Sequence, residues 1–443
     1  MKFVKTQYYS ALLATTSASF LIPFTASSIA LALPTLSEEF NLNLAEVNWV
    51  ANIFLIALSS LVLIIGRVSD WLGKGKVFLS GVTLFTISSF ITFFTYNYAD
   101  LLVCRFVQGV SASMISSTAI PILVDVFPKE KRGLGIGVNT MAIYVGSSLG
   151  PLIGGYIINH FGWRTLFVFK ALIATIALIF TLLVIDLRRG IASKPSSVKT
   201  ILIPFSIALI VYGASSISTL LGLLSISSGM MLFISILVDE RKNPKLLHPT
   251  ILNRRPIAAN TSALLNYSAT YALTIILSTY LQKIRDLQPA DAGLILAIQP
   301  ITQATLSPIA GYLADRRDPS TTASIGMFII ATSIGGLLLI TRESPLVNLL
   351  VILAILGVGF ALFASSNTTA IMNMSSREAY GSATALLATM RFVGQALSTS
   401  IITSIMRLEN DLFIAMKSSL MIYIVLSILG ALLSLIARDG KEN

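Results

Sequence analysis

From Glu46 to Tyr96 the chain reads EVNWVANIFLIALSSLVLIIGRVSDWLGKGKVFLSGVTLFTISSFITFFTY. Two apolar runs, 46–66 and 77–96, flank a polar segment that ends on Lys76. Each run has about 20 residues, the length an α-helix needs to cross the hydrocarbon of a bilayer. Inside hydrocarbon every backbone N–H and C=O must be satisfied within the segment, so each run reads as a helix. The stretch is a membrane-crossing helical hairpin with a wet, basic turn.

The same rule carried outward over all 443 residues gives fourteen expected spans. They run near 11–36, 46–66, 77–96, 101–124, 134–159, 164–185, 200–217, 219–238, 257–281, 291–313, 321–341, 345–370, 379–405 and 412–437. Composition agrees: 55% of residues are apolar and only 12% are charged, with a mean hydropathy of +0.83. A soluble domain carries about 25% charged residues, so this chain cannot wet a soluble surface. It is also far too apolar to remain disordered. The fold class expected is an all-α integral membrane protein. The first span follows Lys2 and Lys5 as a signal peptide would, but it is too long and thirteen more follow, so it reads as a retained helix.

The net charge of +11 does not point to nucleic acid, because no basic run exceeds two residues. It follows orientation instead: 22 Lys and Arg fall in loops on the side of the N-terminus and 5 on the other. The chain is expected in the cell membrane as a multi-pass protein with both termini cytoplasmic. The single cysteine, Cys104, excludes a disulfide framework or cysteine zinc site, and His160 and His248 are too few for a metal cluster. No cofactor or metal is expected.

The hairpin turn has an echo. Gly66-Arg-Val-Ser-Asp70-Trp-Leu-Gly73-Lys74-Gly-Lys76 follows the second span, and Gly311-Tyr-Leu-Ala-Asp315-Arg316-Arg317 follows the tenth. A second pair matches Arg132-Gly-Leu-Gly135 to Arg377-Glu-Ala-Tyr-Gly381. Internal duplication of this kind is common among transporters. It divides the chain into a six-span bundle at 1–190, an inserted two-span hairpin with its loop at 191–250, and a second six-span bundle at 251–443. The glycines allow a tight turn and close helix approach. Asp70 is placed to cap a neighbouring helix or pair with a base. Gly66, Asp70, Gly73, Lys76, Asp315 and Arg316 are therefore candidates for a conformational latch, made in one state and broken in another.

At these residues the chain resembles the major facilitator superfamily. Arg105-Phe-Val-Gln108-Gly109 resembles its R-x-x-Q-G motif, and Gly146-Ser-Ser-Leu-Gly150-Pro151-Leu-Ile-Gly154-Gly155 resembles the G-x-x-x-G-P-x-x-G-G motif of its antiporters. Fourteen spans, with Ala32-Leu33-Pro34, Trp49, Trp163-Arg164, Tyr280-Leu-Gln282, Arg391 and Gly394, resemble the multidrug-efflux drug:proton antiporter branch. The resemblance implies two six-helix bundles plus two extra spans, a central cavity, and alternating access. It implies a monomer in the bilayer that moves a small amphipathic molecule, with protons as the coupling ion. The chain departs from that branch where Thr25 replaces an expected aspartate, Ala30 an asparagine and Lys170 another asparagine.

Charge inside the membrane is costly and marks function. All 20 acids lie in loops or at span ends, while Arg105, Lys170, Arg391 and Lys417 lie within spans. Lys170 lies about six residues inside its span, where it either snorkels to the outer interface, the favoured reading, or lines the cavity. Thr25, Asn52, Arg105, Gln108, Gln299, Asn367 and Arg391 are coupling or cavity candidates, with Phe54, Asn139, Tyr267, Tyr271 and Gln303 beside them. Gly146, Gly150, Gly154 and Gly155 have the spacing of close helix packing, and Pro151 adds a kink. A membrane enzyme is disfavoured because no paired acids or nucleophile–base set occurs, and no Walker sequence marks a primary pump. Two transport readings stay open: export of amphipathic compounds, or facilitated or coupled movement of a neutral or anionic solute.

Overall fold

The structure, a computed structural model, describes residues 2–128, 132–184, 198–243, 249–375, 380–409 and 411–438. Every regular element among these residues is helical. In chain order they are α1 (Lys2–Glu39), α2 (Leu44–Val47), α3 (Trp49–Leu72), α4 (Lys74–Phe93), α5 (Tyr98–Val126), α6 (Arg132–Phe161), α7 (Trp163–Val184) and α8 (Lys199–Ser215). They continue as α9 (Leu220–Lys242), α10 (Arg254–Thr270), α11 (Leu273–Thr279), α12 (Pro289–Arg316), α13 (Pro319–Leu339), α14 (Leu346–Asn373), α15 (Tyr380–Leu408) and α16 (Leu412–Ile436).

Among the described residues twelve helices are long and apolar enough to cross a membrane, against the fourteen spans expected. The difference lies at two places. Helix α8 is apolar but has only 17 residues. The expected span 257–281 is instead two helices, α10 and α11, interrupted at Tyr271 and Ala272. Helix α10 carries Asn260, Ser262, Asn266, Ser268 and Thr270, all buried, so its hydropathy is low. The amide of Ala272 at the break is satisfied by Ser398 Oγ at 2.9 Å, whose own carbonyl accepts from Tyr423 OH at 2.8 Å.

Helix boundaries follow local chemistry. Asn43 and Glu46 form a reciprocal capping box at α2. Asn97 accepts from the Asp100 amide, and Asp318, followed by Pro319, accepts from the Thr321 amide. Gly73 alone separates α3 from α4, with φ of 104°. That left-handed backbone suits glycine, so the hairpin turn quoted above closes in one residue.

The chain forms two compact units, one of residues 1–204 and 287–294 and the other of residues 205–286 and 295–443. The segment 191–250, expected as an inserted hairpin, thus divides after Pro204. In the first unit α1 lies against α6, α7 and α5, while α4 and α3 flank α5. The α1–α6 seam is built on glycine. A Cβ on Gly146 would strike the Phe20 carbonyl, one on Gly150 would strike Ser27 Oγ, and one on Gly154 would lie 2.8 Å from Ser28 Cβ. These spacings of four residues bring the backbones together as in membrane helix pairs. Gly155 faces the Pro289 carbonyl in the same way.

In the second unit α10 packs on α15 and α16, and α13 on α14 and α16. Helices α8 and α9 meet through Gly213, Gly222 and Gly229, each against backbone of the facing helix or turn. Helix α8 is joined to α15 by hydroxyls: Ser215 and Ser400 pair at 2.7 Å, and Ser404 donates to the Ala214 carbonyl at 2.6 Å. The free side of α9 presents Leu220, Leu224, Met231 and Ile234 outward, as a lipid-facing helix does.

Candidate functional site: a buried cationic cluster in the first unit

Arg105 extends from α5 and is fully buried. Its Nε donates to the Val50 carbonyl of α3 at 2.9 Å and its Nη1 to Gln108 Oε1 at 2.8 Å. The guanidinium lies over the Phe54 ring at 4.5 Å. Gln108, one turn on, directs its amide to Thr92 and Ser89 of α4 at 3.3 and 3.4 Å. Arg105 and Gln108 therefore tie three helices at the centre of the unit. Arginine holds its charge there because two neutral acceptors, the Val50 carbonyl and Gln108 Oε1, and an aromatic face replace water.

A second basic side chain shares this interior. Lys170 on α7 is fully buried, with Nζ over the Phe167 ring at 4.5 Å and no hydrogen-bond partner among the described residues. It does not snorkel, contrary to the sequence expectation. Depth along the helix suggested snorkelling, but azimuth decides. Trp163, Leu166, Phe167, Lys170 and Ala174 form the inward stripe, whereas Leu172, Ile176, Ile179 and Leu183 take the exposed face. Arg105 would repel an ammonium at Lys170.

Thr25 and Ser28 of α1 are buried with hydroxyls that have no partner among the described residues, and so is the Asn139 side-chain carbonyl on α6. Asn52 of α3 is fully buried as well. The candidates Thr25, Asn52, Arg105 and Gln108 thus all lie inside one unit, and direct hydrogen bonds link Arg105 with Gln108.

The remaining candidates belong to the second unit. Gln299 donates to Gln303 Oε1 at 3.2 Å along α12. Asn367 of α14 is buried, and Tyr267 meets Phe360 edge-on at 6.3 Å. Arg391 is half-buried with its guanidinium 4.7 Å from the Phe392 ring. Lys417 donates to the Leu338 and Ile340 carbonyls and so satisfies the end of α13.

At the α3–α4 turn the partner of Asp125 is Lys74, at 2.7 Å. Lys76 instead lines a 310 Å³ groove with Ile65, Val68, Leu72, Val77, Ser80 and Met114. A Cβ on Gly66 would make ordinary contact with Ser117, and Gly311 faces open space. Asp315 is exposed, and Arg316 stacks on Tyr312 at 4.5 Å. Arg377 and His248 lie outside the described residues.

Sequence reasoning missed a polar knot at the far end of α1. Glu39 accepts from Trp163 Nε1 at 2.6 Å and pairs with Arg164 Nη2 at 2.7 Å. Arg164 also donates to the Thr95 carbonyl at 3.0 Å. The signal was present in Glu39 following Pro34 and in Trp163-Arg164 opening α7, but nothing in the sequence joined residues so far apart.

Helices with apolar outer faces around buried, hydrogen-bonded charge are those of a polytopic membrane protein. The chain belongs to the Major Facilitator Superfamily, whose sequence profile matches residues 15–251 and 259–443. It is 26% identical over 400 residues to the riboflavin transporter RibZ of Clostridioides difficile, covering 87% of this chain and 85% of that protein. It is 25% identical to the tetracenomycin C resistance and export protein of Streptomyces glaucescens, covering 89% and 75%. The multidrug resistance protein Stp of Mycobacterium tuberculosis is 24% identical, with the same shares covered. A crystal structure of the peptide transporter POT in complex with sulfate superposes with a TM-score of 0.72 at 17% identity, over 98% of this chain and 96% of that one, which shows the shared fold.

Proposed function

We propose that the protein is a secondary transporter that exports amphipathic organic compounds by alternating access. Its fourteen crossings comprise the twelve long helices, α8, and the broken pair α10–α11, with both termini in the cytoplasm. Relatives that export tetracenomycin C or confer multidrug resistance, and one that transports riboflavin, support a bulky organic cargo. The Gly73 turn with Asp70 and Lys76 serves as a latch between states.

The observation that carries the cargo reading is the distribution of charge. Among the described residues no carboxylate lies in mid-span, whereas Arg105 and Lys170 are buried there and Arg391 is half-buried. A cation in low dielectric needs a negative partner or an aromatic cage. At an effective dielectric of about 20, two like charges ~6 Å apart repel by roughly 3 kcal/mol. A monovalent cation so placed near Arg391 binds about a hundredfold more weakly. Neutral and anionic amphiphiles are therefore the preferred cargo. The same charge pattern favours, as a second reading, a facilitator or symporter for a neutral or anionic solute.

Transport in proteoliposomes with imposed pH gradients tests this, using riboflavin, fluorescein and ethidium as neutral, anionic and cationic probes. Movement of the first two above ethidium is expected. Strong proton-driven export of ethidium would overturn the cargo assignment.

A further inference from the structure

We propose that Lys170 is the residue on which this transporter carries a coupling proton, an inference that rests on the transport reading above. Antiport driven by protons needs a side chain that gains and loses a proton out of contact with bulk water. The acids that ordinarily do this lie at helix ends here. Arg105 cannot serve, because a guanidinium does not give up its proton in a protein. Lysine can, and buried lysines do so readily.

The surroundings of Lys170 fit that role. It stands in the enclosed stripe of α7, against α1, α4 and α6. Helix α4 carries no charged residue beyond Lys76, and α6 none between Arg132 and His160. Helix α1 carries none between Lys5 and Glu38, and its Glu39 is engaged by Trp163 and Arg164. Helix α5 supplies Arg105, with Asp100 and Asp125 confined to its two ends. The other titratable side chains on these helices are Tyr8 and Tyr9 near the start of α1, Tyr98 and Cys104 on α5, and Tyr144 and Tyr156 on α6.

No described carboxylate therefore neutralises an ammonium at Lys170, and Arg105 repels one. Among the described residues Phe167 offers an attractive contact, a ring face at 4.5 Å. A neutral amine suffers neither penalty. In the enclosed state shown here the side chain is held as the amine. When α7 or its neighbours move and water reaches Nζ, the nitrogen lone pair takes a proton from water on that side. Opening toward the opposite face, as the first closes, lets Nζ give the proton to water there, and the side chain is enclosed again as the amine. Arg105, held by Val50 and Gln108, remains cationic throughout and repels the proton in each cycle.

The test uses the full-length protein, wild type beside Lys170→Met and Lys170→Arg, in liposomes containing a pH-sensitive dye. Riboflavin and fluorescein are the probes. Two quantities are read for each variant: uptake driven by a pH gradient, and exchange at equal pH. In both variants the ratio of the first to the second should collapse and probe-linked proton movement should disappear, because neither side chain cycles a proton. A merely structural lysine would lower both quantities together and be rescued by arginine. Proton uptake by the purified proteins is measured in parallel across the neutral range without any probe. Wild type should take up one more proton per chain than Lys170→Met. Equal uptake, or undiminished gradient-driven transport in Lys170→Met, overturns the assignment. Chloride-dependent transport with equal uptake would mean that Lys170 stays cationic against a bound anion. If neither probe moves in any preparation, the transport reading fails, and the proton-uptake comparison still decides the role of Lys170.

Discussion

Lys74 Nζ stands 2.7 Å from Asp125 Oδ2, an ion pair that joins the start of α4 to the end of α5 across 51 residues. Gly73 lies next to it, at the one-residue turn from α3. The pair is solvent-exposed, and such pairs contribute no more than about 1 kcal/mol to stability. Its breakage is thus cheap enough to accompany a change of state.

The latch reading predicts a split between rate and stability. Asp125→Asn and Asp70→Asn should slow transport severalfold while shifting the melting temperature little. Asp315→Asn should have a smaller effect, since Asp315 is exposed and Asp318 caps the helix that follows. Initial rates and melting curves on the same preparations decide the matter. Full activity in Asp70→Asn would reduce the turn to a topological signal.

The α1–α6 seam predicts that Gly150→Leu abolishes turnover. The new side chain enters space held by Ser27 and the Phe24 carbonyl. Overpacking a tight interface typically costs about 1–3 kcal/mol, so the protein should be less stable as well as inactive. Gly137→Leu on the same helix is the control, because nothing lies within 4 Å of its added Cβ. Wild-type turnover in Gly150→Leu would refute the close-packing role.

Asp411 gives a pH prediction. Its carboxylate accepts from the Ile414 and Phe413 amides and pairs with Arg342 at 2.7 Å. The Ile414 amide first, then Phe413 and Arg342, hold this carboxyl below the usual carboxylate range. Because the folded value is depressed, the contribution is complete above the unfolded value and is lost as pH falls through the folded one. Asp411→Asn should therefore flatten the low-pH slope of the melting temperature. An unchanged slope would remove Asp411 from acid sensitivity.

Thr25 sits fully buried where the resemblance leads one to expect an aspartate. Installing Asp there should move preference from riboflavin and fluorescein toward ethidium and steepen the pH dependence of transport. Probe competition across pH measures this. An unaltered preference would place Thr25 away from the cargo.

What could be read from sequence follows the range of the interactions. Span positions are local properties of hydropathy, and the twelve long apolar helices among the described residues were legible in them. The two departures, short α8 and broken α10–α11, arise where polar residues are satisfied by distant helices, as Ser398 satisfies Ala272. Glycine spacing in α6 did not tell that α1 was the helix it would meet. Depth along α7 was legible for Lys170, but its azimuth against neighbours was not. The Glu39–Trp163–Arg164 knot and the choice of Lys74 over Lys76 depend on contacts across many residues, which no local pattern encodes.

The hydroxyl bonds between α8 and α15 bear on attempts to shorten the protein. Excising α8 and α9 to obtain a minimal transporter would strip partners from Ser404 and Arg407 and leave Ser400 only the Ala396 carbonyl of its own helix. Ser404 would then lie unmet on the bared face of α15, where polar atoms facing hydrocarbon are expensive. A trimmed chain would need apolar replacements on α15 before it could insert cleanly. Removal of the two helices is in that sense a redesign of the helix they grip.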